Sequence, residues 1–475
     1  MKLEISVQDE TNIRFSFGSR VIFGTVQADP LRMRTVRLFR SWLESDQFKD
    51  REGLEVLGSH LYEIIFNKDI VGRFEDALKD ARGSKESLRV KLIFQEAALT
   101  LANLPWEFLY KPDSETGNGY FLSTKTELTL FRFMPRDTSA PSKPAELKVL
   151  VVLAEPGGSG ANAPTAPQKI TQEMMKLFKD LGVTADYLEN PTAVSLPATI
   201  DKFQPHVLHF IGHGLMDKKS NKSQIAILDD NAHLQLVPDT LFAQYVHNSG
   251  DRDLRLVFLH LTECKHPAEI NLDENYASFA GMATALIKNA DIPAVLAMQF
   301  PLKPDVATKF CSVFYSELAN SKDIDAAVQT IRSTIHLTPA YWDTHVFGTP
   351  VLSVFQDDMM KFELFKDPSK KTPTPIDQQG QNRAAGGPEA GGASVTPAPA
   401  RATDPGDLRK LAVAEMDKLE LSEAQRGVIG RLTTQLYQEK KAAGNYKDVL
   451  DNAMGENADW QVQQVIDVMR KGLGA

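Results

Sequence analysis

The sequence predicts an α/β fold, a mostly parallel sheet flanked by helices, with a small all-α domain at its C-terminal end. Continuous apolar and β-branched runs, such as residues 147–154 and 254–261, are typical of buried parallel strands. Stretches with helical spacing fill the gaps between these runs, as in β-α-β units. Residues 366–404, rich in Pro and Gly, then separate this body from a short helical region.

The first part of the chain alternates strands with helices. Residues 1–25 have strand-forming composition, and residues 31–82 are mostly helical in their spacing. The runs 88–94 and 127–133 alternate apolar and polar residues as strands do. We treat residues 1–145 as one predicted unit.

Buried strands continue after residue 145 and define a second predicted unit, residues 146–365. Active sites in parallel sheets collect at the carboxyl ends of the strands. The predicted strands are 147–154, 207–212, 254–261, 294–300 and 350–355, and the predicted helices are 168–182, 274–289 and 304–319.

The remaining chain is predicted to be a linker followed by a helical module. Residues 366–404 have few large apolar side chains to offset their ordering entropy, which predicts a disordered linker. Residues 405–475 have helical spacing, and Ser422 to Gln425 have the form of a capping box. We expect a helical interaction domain, or alternatively a helical cap on the main body.

Composition narrows the class of protein. The net charge of -9 and the lack of a dense basic face argue against nucleic acid and anionic membranes as partners. Only two cysteines occur, which excludes a disulfide framework and favours a reducing compartment. The N-terminus lacks the apolar core of a signal peptide, and no run reaches a membrane span. We therefore expect a cytoplasmic protein.

A histidine between two glycines ends the strand V-L-H-F-I-G-H-G at residues 207–214. His213 follows the buried run directly, at the edge where functional side chains collect. Gly212 and Gly214 would let the backbone turn sharply and approach a ligand closely. His213 is therefore the first candidate for a catalytic role.

A cysteine ends the run L-V-F-L-H-L-T-E-C at residue 264, 51 residues after His213. An imidazole beside a thiol accepts its proton, or holds it as an ion pair, and later protonates the leaving amine. Backbone N–H groups of Gly214 and Cys264 would then face the developing oxyanion. On these residues alone, a cysteine packed as a small hydrophobic group is the alternative.

Several stretches together resemble the CHAT domain, the caspase-like peptidase family of the caspase, gingipain and separase group. The histidine and cysteine strands look like two of its motifs, and Pro105-Trp106-Glu107 looks like its N-terminal marker. The separation of His213 and Cys264 is also close to the roughly 50 residues typical of caspases. Further similar stretches are 57–66, 104–110, 292–318, 327–332 and 348–352, so that the resemblance runs from about residue 50 to 356.

The resemblance implies a thiol protease with His213 as general base and acid, Cys264 as nucleophile and Gly214 lining the oxyanion hole. It implies no cofactor, a protein substrate, and a prokaryotic signalling or defence role triggered by an upstream sensor. Residues 1–145 would be a regulatory half, caspase-like but without catalytic residues. Residues 405–475 would bind the sensor or an adaptor protein, which is an analogy with death-like domains.

The cysteine motif departs from the family pattern at Thr262-Glu263-Cys264-Lys265-His266. A carboxylate beside the thiol raises its pKa, which Lys265 and His266 would oppose. An inactive caspase-like scaffold that acts through its helical module is therefore the alternative to a protease. Glu155 and Glu263 are candidates for binding a basic substrate side chain, and solvated surface carboxylates are the plain alternative.

Other site types find little support in the sequence. His209 and His213 have the spacing of a zinc pair on a helix, but four residues along a strand lie too far apart to share a metal. We expect no metal, with His209 in the core. The glycine-rich residues 156–160 lack the Lys-Ser/Thr of a phosphate loop. Cys311 lies on the apolar stripe of a predicted helix and is expected to pack in the core.

Overall fold

A computed structural model describes residues 1–363 apart from gaps, and five residues beyond them. The chain divides into two units, Met1–Lys370 and Lys371–Ala475. The predicted linker and nearly all of the predicted helical domain lie outside the described residues. The gaps are residues 46, 48–49, 114–118, 137–144, 156–164, 218–221, 232, 249, 251, 264–279, 301 and 356–361. The five further residues, all helical and buried, are Ala412, Ile429, Val465, Ile466 and Met469.

Strands and helices of the first 146 residues follow the predicted order. The helices begin at good caps: the Asp29 and Asp50 carboxylates each accept a backbone N–H of the first turn. The elements are β1 (Lys2–Val7), β2 (Asn12–Phe17), β3 (Arg20–Thr25), α1 (Pro30–Glu44), α2 (Arg51–Ile65), α3 (Lys68–Ser84), β4 (Leu88–Phe94), α4 (Leu99–Ala102), β5 (Tyr110–Lys111), β6 (Tyr120–Phe121), β7 (Leu128–Phe133) and β8 (Ala145–Glu146).

The second part of the first unit alternates strand and helix as expected. It also contains strands and helices that the sequence did not predict, at Thr184–Glu189, Ser195–Phe203, Lys222–Leu228, Leu234–Pro238, Asp239–Val246 and Phe362–Glu363. The elements are β9 (Lys148–Leu153), α5 (Ala166–Leu181), β10 (Thr184–Glu189), α6 (Ser195–Phe203), β11 (Val207–Asp217), β12 (Lys222–Leu228), β13 (Leu234–Pro238), α7 (Asp239–Val246), β14 (Leu256–Glu263), α8 (Ala280–Ala290), β15 (Ala294–Met298), α9 (Pro304–Ala319), α10 (Ile324–His336), β16 (Pro350–Val354) and β17 (Phe362–Glu363).

A thirteen-stranded sheet organises the first unit. Eleven strands lie side by side in the order β10-β9-β11-β14-β15-β16-β7-β4-β1-β2-β3. The other two, β12 and β13, extend from the end of β11 as an antiparallel ribbon. Two short pairs, β5 with β6 and β8 with β17, stand apart. The predicted α/β fold with a mostly parallel sheet is confirmed.

Two blocks of parallel strands meet inside this sheet. In the first block, the neighbouring strands β10, β9, β11, β14 and β15 pair in parallel. In the second block, β16, β7, β4 and β1 do the same. The two blocks are joined by one antiparallel contact, β15 with β16. The carboxyl ends of the first block therefore lie at the opposite edge from those of the second, and residues 1–145 and 146–365 contribute to one sheet.

Helices cover both faces of the sheet, and the alternation of side chains assigns each face its core. On β11, Val207 and Ile211 face one apolar cluster, whereas Leu208 and Phe210 face the other. The first cluster includes residues of α5, α9 and α10, and the second includes residues of α6, α7 and α8. Both faces are buried, which explains why these strands read as continuous apolar runs.

The buried carboxylate Glu107 links the two blocks. It accepts two hydrogen bonds from the Arg132 guanidinium on β7, at 3.0 and 2.7 Å. The amide of Gln299, just after β15, donates to Glu107 Oε2 at 3.0 Å and to the Gly348 carbonyl at 2.7 Å. Bidentate pairing satisfies the charge inside the protein. The Pro-Trp-Glu stretch therefore lies at the junction between the blocks.

No helix among the described residues combines the length and apolar character needed to cross a membrane.

Candidate active site

His213 lies on β11, which is flanked by β9 on one side and β14 on the other. The ladder with β14 is regular from Val207 to Gly212, which pairs with Leu261. It then shifts, so that His213 pairs with Glu263. Such irregularities re-aim side chains and are frequent beside active sites. The histidine is partly exposed, as a group that contacts substrate must be.

Cys264 follows Glu263 directly in the chain but lies outside the described residues. The same holds for Lys265 and His266 and for the glycine-rich residues 156–160. The strand that leads to Cys264 is described: β14 runs parallel to β11 and is its immediate neighbour. The strand that carries His213 and the strand that leads to Cys264 are therefore neighbours in the sheet.

Gly212 allows a close backbone approach, but to the protein itself. A Cβ at this position would lie 3.0 Å from the Ala154 carbonyl oxygen and 2.8 Å from Phe210 Cε1. The chain after β9 is held there by the Ala154 N–H, which donates to the Ile211 carbonyl at 2.8 Å. We expected Gly212 to make room for a ligand. In the structure it makes room for Ala154, because the hydrogen bond to Ile211 keeps the chain beside β11 just past the end of β9.

Gly214 begins the ladder between β11 and β12, where it pairs with Ile225. The predicted strand ended at residue 212, but β11 continues to Asp217 because β12 pairs with its last residues. Gly214 is buried. The position proposed to line an oxyanion hole therefore belongs to a strand rather than to a loop.

Glu155 lies at the same edge of the sheet. Leu153, the last residue of β9, pairs with Ile211 of β11, and Glu155 and His213 each come two residues later in the chain. The Glu155 carboxylate accepts a hydrogen bond from the Thr165 hydroxyl. Thr165 also forms a capping box with Gln168 at the start of α5. Glu155 is therefore hydrogen-bonded to the N-cap residue of α5. Along the sheet edge, the strand of His213 lies between the strand before Glu155 and the strand that ends at Glu263.

A second group of reactive residue types lies inside the protein, below the edge that carries His213. His209 and His260 come from β11 and β14, and Cys311 comes from α9. All three are buried, and one potential ligand atom from each lies within 4.8 Å of the others. We predicted a core position for His209 and for Cys311, and both are confirmed. His260 was not among the predicted candidates, because it lies within the apolar run of a buried strand.

Burial controls the chemistry of this internal group. It raises the pKa of the Cys311 thiol well above its usual range and lowers the pKa of His260 to about 4. Burial, and next the neighbouring His260, also lower the pKa of His209. A thiol in apolar surroundings stays protonated and unreactive. Cys311 is therefore unsuited to act as a nucleophile.

The profile of the CHAT domain matches residues 55–352, more than half of the chain. The chain belongs to the CHAT domain family. The matched range includes β11, β14 and the Pro-Trp-Glu stretch, and it confirms the resemblance drawn from those motifs. The two strands that carry His213 and lead to Cys264 are thus neighbours within a CHAT domain. No curated protein matches the chain.

Solved structures similar to this CHAT protein include two of the Saccharomyces cerevisiae separase–securin complex, at 3.0 and 2.6 Å resolution. They share 12% and 11% sequence identity with it, with TM-scores of 0.33 and 0.34. The similarity covers 70% and 71% of this chain but 23% of the matched chain in each case. The chain thus spans less than a quarter of the length of those proteins.

Proposed function

We propose that the protein is a cysteine endopeptidase of the caspase-like type, with Cys264 as nucleophile and His213 as general base and acid. The observation that carries the proposal is the pairing of His213 with Glu263, the residue before Cys264. Neighbouring strands lie about 4.8 Å apart, and one peptide unit adds about 3.8 Å. These distances support a dyad of His213 and Cys264, because Cys264 is the next residue after Glu263 in the chain.

The choice of nucleophile rests on a second argument. A thiol protease needs an accessible cysteine, and this chain has two cysteines. Cys311 is buried with a raised pKa, which leaves Cys264. In the proposed cycle, His213 takes the thiol proton as sulfur attacks the peptide carbonyl, and it returns a proton to the leaving amine. Water then hydrolyses the acyl-enzyme with His213 as base.

The oxyanion would be held by backbone N–H groups of Gly214 and Cys264. Donors fixed by a strand need no reorganisation as charge develops on the carbonyl oxygen, and this favours the transition state. Glu155 and Glu263 lie on either side of His213 along the sheet edge. Two carboxylates in this arrangement favour a substrate with a basic side chain before the cut, which would bind beside them.

The biological setting is part of the same proposal. We place the enzyme in the cytoplasm, in a prokaryotic signalling or defence pathway that cleaves a specific protein. An upstream sensor or adaptor would bind through residues 405–475. The scaffold alternative, in which the caspase-like fold is inactive, is favoured by one observation: Glu263 precedes Cys264, and a carboxylate there disfavours the thiolate.

Active-site labelling tests the proposal. The full chain is treated with a library of peptide acyloxymethylketones, and Cys264→Ala, Cys311→Ala and His213→Ala are compared. Labelling that is lost in Cys264→Ala, kept in Cys311→Ala and weakened in His213→Ala supports the dyad, and the preferred peptide reports the side chain before the cut. If the Cys264→Ala variant is still labelled, Cys264 is excluded as the nucleophile. The absence of labelling, even with a partner bound to residues 405–475, selects the scaffold.

A further inference from the structure

The buried group of His209, His260 and Cys311 has no part in the proposed peptidase chemistry. His209 lies four residues before His213 on β11, which is about 13 Å along a strand. His209 and His260 come from neighbouring strands, and α9 packs Cys311 against them from one face of the sheet. The three side chains therefore form a separate internal cluster.

The distances within this cluster fit poorly to hydrogen bonds. His209 Nε2 lies 3.4 Å from His260 Nδ1, and Cys311 Sγ lies 4.0 Å from the same nitrogen. For comparison, N–H···O hydrogen bonds in proteins are about 2.7–3.2 Å long. Within the described part of the chain, His260 Nε2 is also buried without a hydrogen-bond partner. Both nitrogens of this imidazole are thus poorly satisfied, which is costly in a protein core.

The same distances fit atoms that share one metal ion. Two metal–nitrogen bonds of about 2.0 Å at a trigonal angle place the nitrogens about 3.5 Å apart. A nitrogen and a sulfur on the same ion, with a metal–sulfur bond of about 2.3 Å, lie about 3.7 Å apart. The first value matches the 3.4 Å between His209 Nε2 and His260 Nδ1. The second is slightly shorter than the 4.0 Å between Cys311 Sγ and His260 Nδ1.

The surroundings of the cluster have the features of a metal site. His209 Nδ1 is hydrogen-bonded to the Tyr315 hydroxyl at 2.8 Å, which fixes the ring and leaves Nε2 to act as a ligand. Phe258 packs against the His209 ring, with centroids 4.1 Å apart. Phe258 in turn contacts Phe310 and Phe314 of α9. The ion would therefore be enclosed by aromatic rings.

We infer that His209 Nε2, His260 Nδ1 and Cys311 Sγ bind one monovalent copper ion. Thiolate and imidazole are ligands that Cu⁺ and Zn²⁺ both accept. Zn²⁺ in structural sites takes four ligands, and with one thiolate it would leave a net positive charge in the core. Cu⁺ with one thiolate is neutral. Binding releases the Cys311 proton to solvent and forms the copper–sulfur bond without a change of oxidation state.

Such an ion would hold β11 and β14 against α9. These strands carry His213 and lead to Cys264, so the site would stiffen the sheet beneath the proposed active site. Because the cluster is closed to solvent, we expect loading during folding, and bound metal should stabilise the folded chain. The inference does not depend on peptidase activity.

Copper binding by the full chain tests the inference. Protein refolded without oxygen in the presence of Cu⁺ is titrated with the copper(I) chelator bicinchoninate, and zinc binding is measured in parallel. We expect one Cu⁺ per chain. Cys311→Ser should weaken binding by more than about 100-fold and Tyr315→Phe by about 10–100-fold, the usual effect of losing an outer hydrogen bond. Cys264→Ser is the matched control and should retain the ion.

X-ray absorption on the wild-type protein gives a readout that does not depend on how the variants fold. One sulfur and two nitrogen neighbours around copper support the assignment. The inference is overturned if folded wild-type protein binds no copper, if it prefers Zn²⁺ over Cu⁺, or if Cys264→Ser loses the ion while Cys311→Ser keeps it.

Discussion

His213 on β11 pairs with Glu263 on β14, one position beyond the irregularity in their parallel ladder. Glu263, which carries a carboxylate, is thus the strand partner of the proposed base and the residue before the proposed nucleophile. Two functions for Glu263 follow from it. Glu263 either binds a basic substrate side chain or restrains the thiol of Cys264.

Substitution of Glu263 should separate these functions. Removing the charge in Glu263→Gln should lower the pKa of the neighbouring thiol, because a carboxylate disfavours the thiolate. The measurement is the rate of iodoacetamide alkylation of Cys264 against pH, with Glu155→Gln as control. An unchanged midpoint of the alkylation rate against pH would show that Glu263 does not restrain the thiol. Loss of the preference for basic peptides in Glu263→Gln would show that Glu263 binds the substrate.

The two cysteines should differ in reactivity. Cys311 is 1% exposed and its pKa is raised by burial, so native protein should be alkylated at Cys264 alone. Peptide mass spectrometry after brief iodoacetamide treatment, with and without denaturant, measures this. Modification of Cys311 in the folded protein at a rate near that of Cys264 would contradict the burial of α9.

Replacing Gly212 should disturb the edge of the sheet that carries His213. A Cβ there would meet the Ala154 carbonyl oxygen and Phe210, so Gly212→Ala should destabilise the fold by about 1–3 kcal/mol and reduce labelling of Cys264. Gly72→Ala in α3 is the matched control. Its Cβ would enter open space, and alanine favours the helix by up to about 1 kcal/mol. Urea denaturation compares the two, and equal stability of both variants would refute the steric argument.

The buried pair Glu107–Arg132 should contribute strongly to stability. The Glu107 side chain is 1% exposed, and Glu107→Ala leaves Arg132 buried without its partner. We expect a loss of about 3–5 kcal/mol in the free energy of unfolding. Asp76→Ala removes a partner of Arg73 in a half-exposed surface pair and should cost less than about 1 kcal/mol. Similar urea midpoints for the two variants would show that Glu107 does not join the blocks.

Stability should fall as pH decreases from about 6.5 to 4. Burial lowers the pKa of His260 to about 4 in the folded chain. Between these values the unfolded chain binds the proton and the folded chain does not, so acid favours unfolding by up to about 3 kcal/mol. Denaturation at pH 7 and pH 5 tests this for metal-free protein. His260→Gln should reduce the dependence, to which the lowered pKa values of His209 and His336 also contribute, and His233→Gln, at an exposed histidine, should leave it unchanged.

The sequence predicted the buried parts of the fold well. Leu88–Phe94 and Pro304–Ala319 have the predicted bounds, because their apolar residues recur with the period of a strand and of a helix. The edge strand Thr184–Glu189 was missed since it is half-exposed and carries three acidic or polar residues. The antiparallel contact between β15 and β16 was also missed, because strand direction depends on contacts that are distant in sequence.

The roles of His213 and Cys264 stay predictions, whereas the contacts around His213 are known from the structure alone. Periodicity placed His213 at the end of a strand, and the family motif selected Cys264. At Gly212 the structure shows a close approach of Ala154, and the predicted approach of a ligand stays a prediction. The cluster of His209, His260 and Cys311 could not be predicted, because it forms only when α9 packs across two strands.

The position of β16 has a consequence for synthesis of the protein. This strand is among the last strands of the sheet to be synthesised. In the folded sheet it nevertheless lies between β15 and β7, where the two blocks join. Until residue 354 has left the ribosome, each block has an open edge where the other should connect. Chains grow at about 5–20 residues per second and fold as they emerge. A nascent or truncated chain thus carries residues 213 and 264 before the two blocks of its sheet are joined.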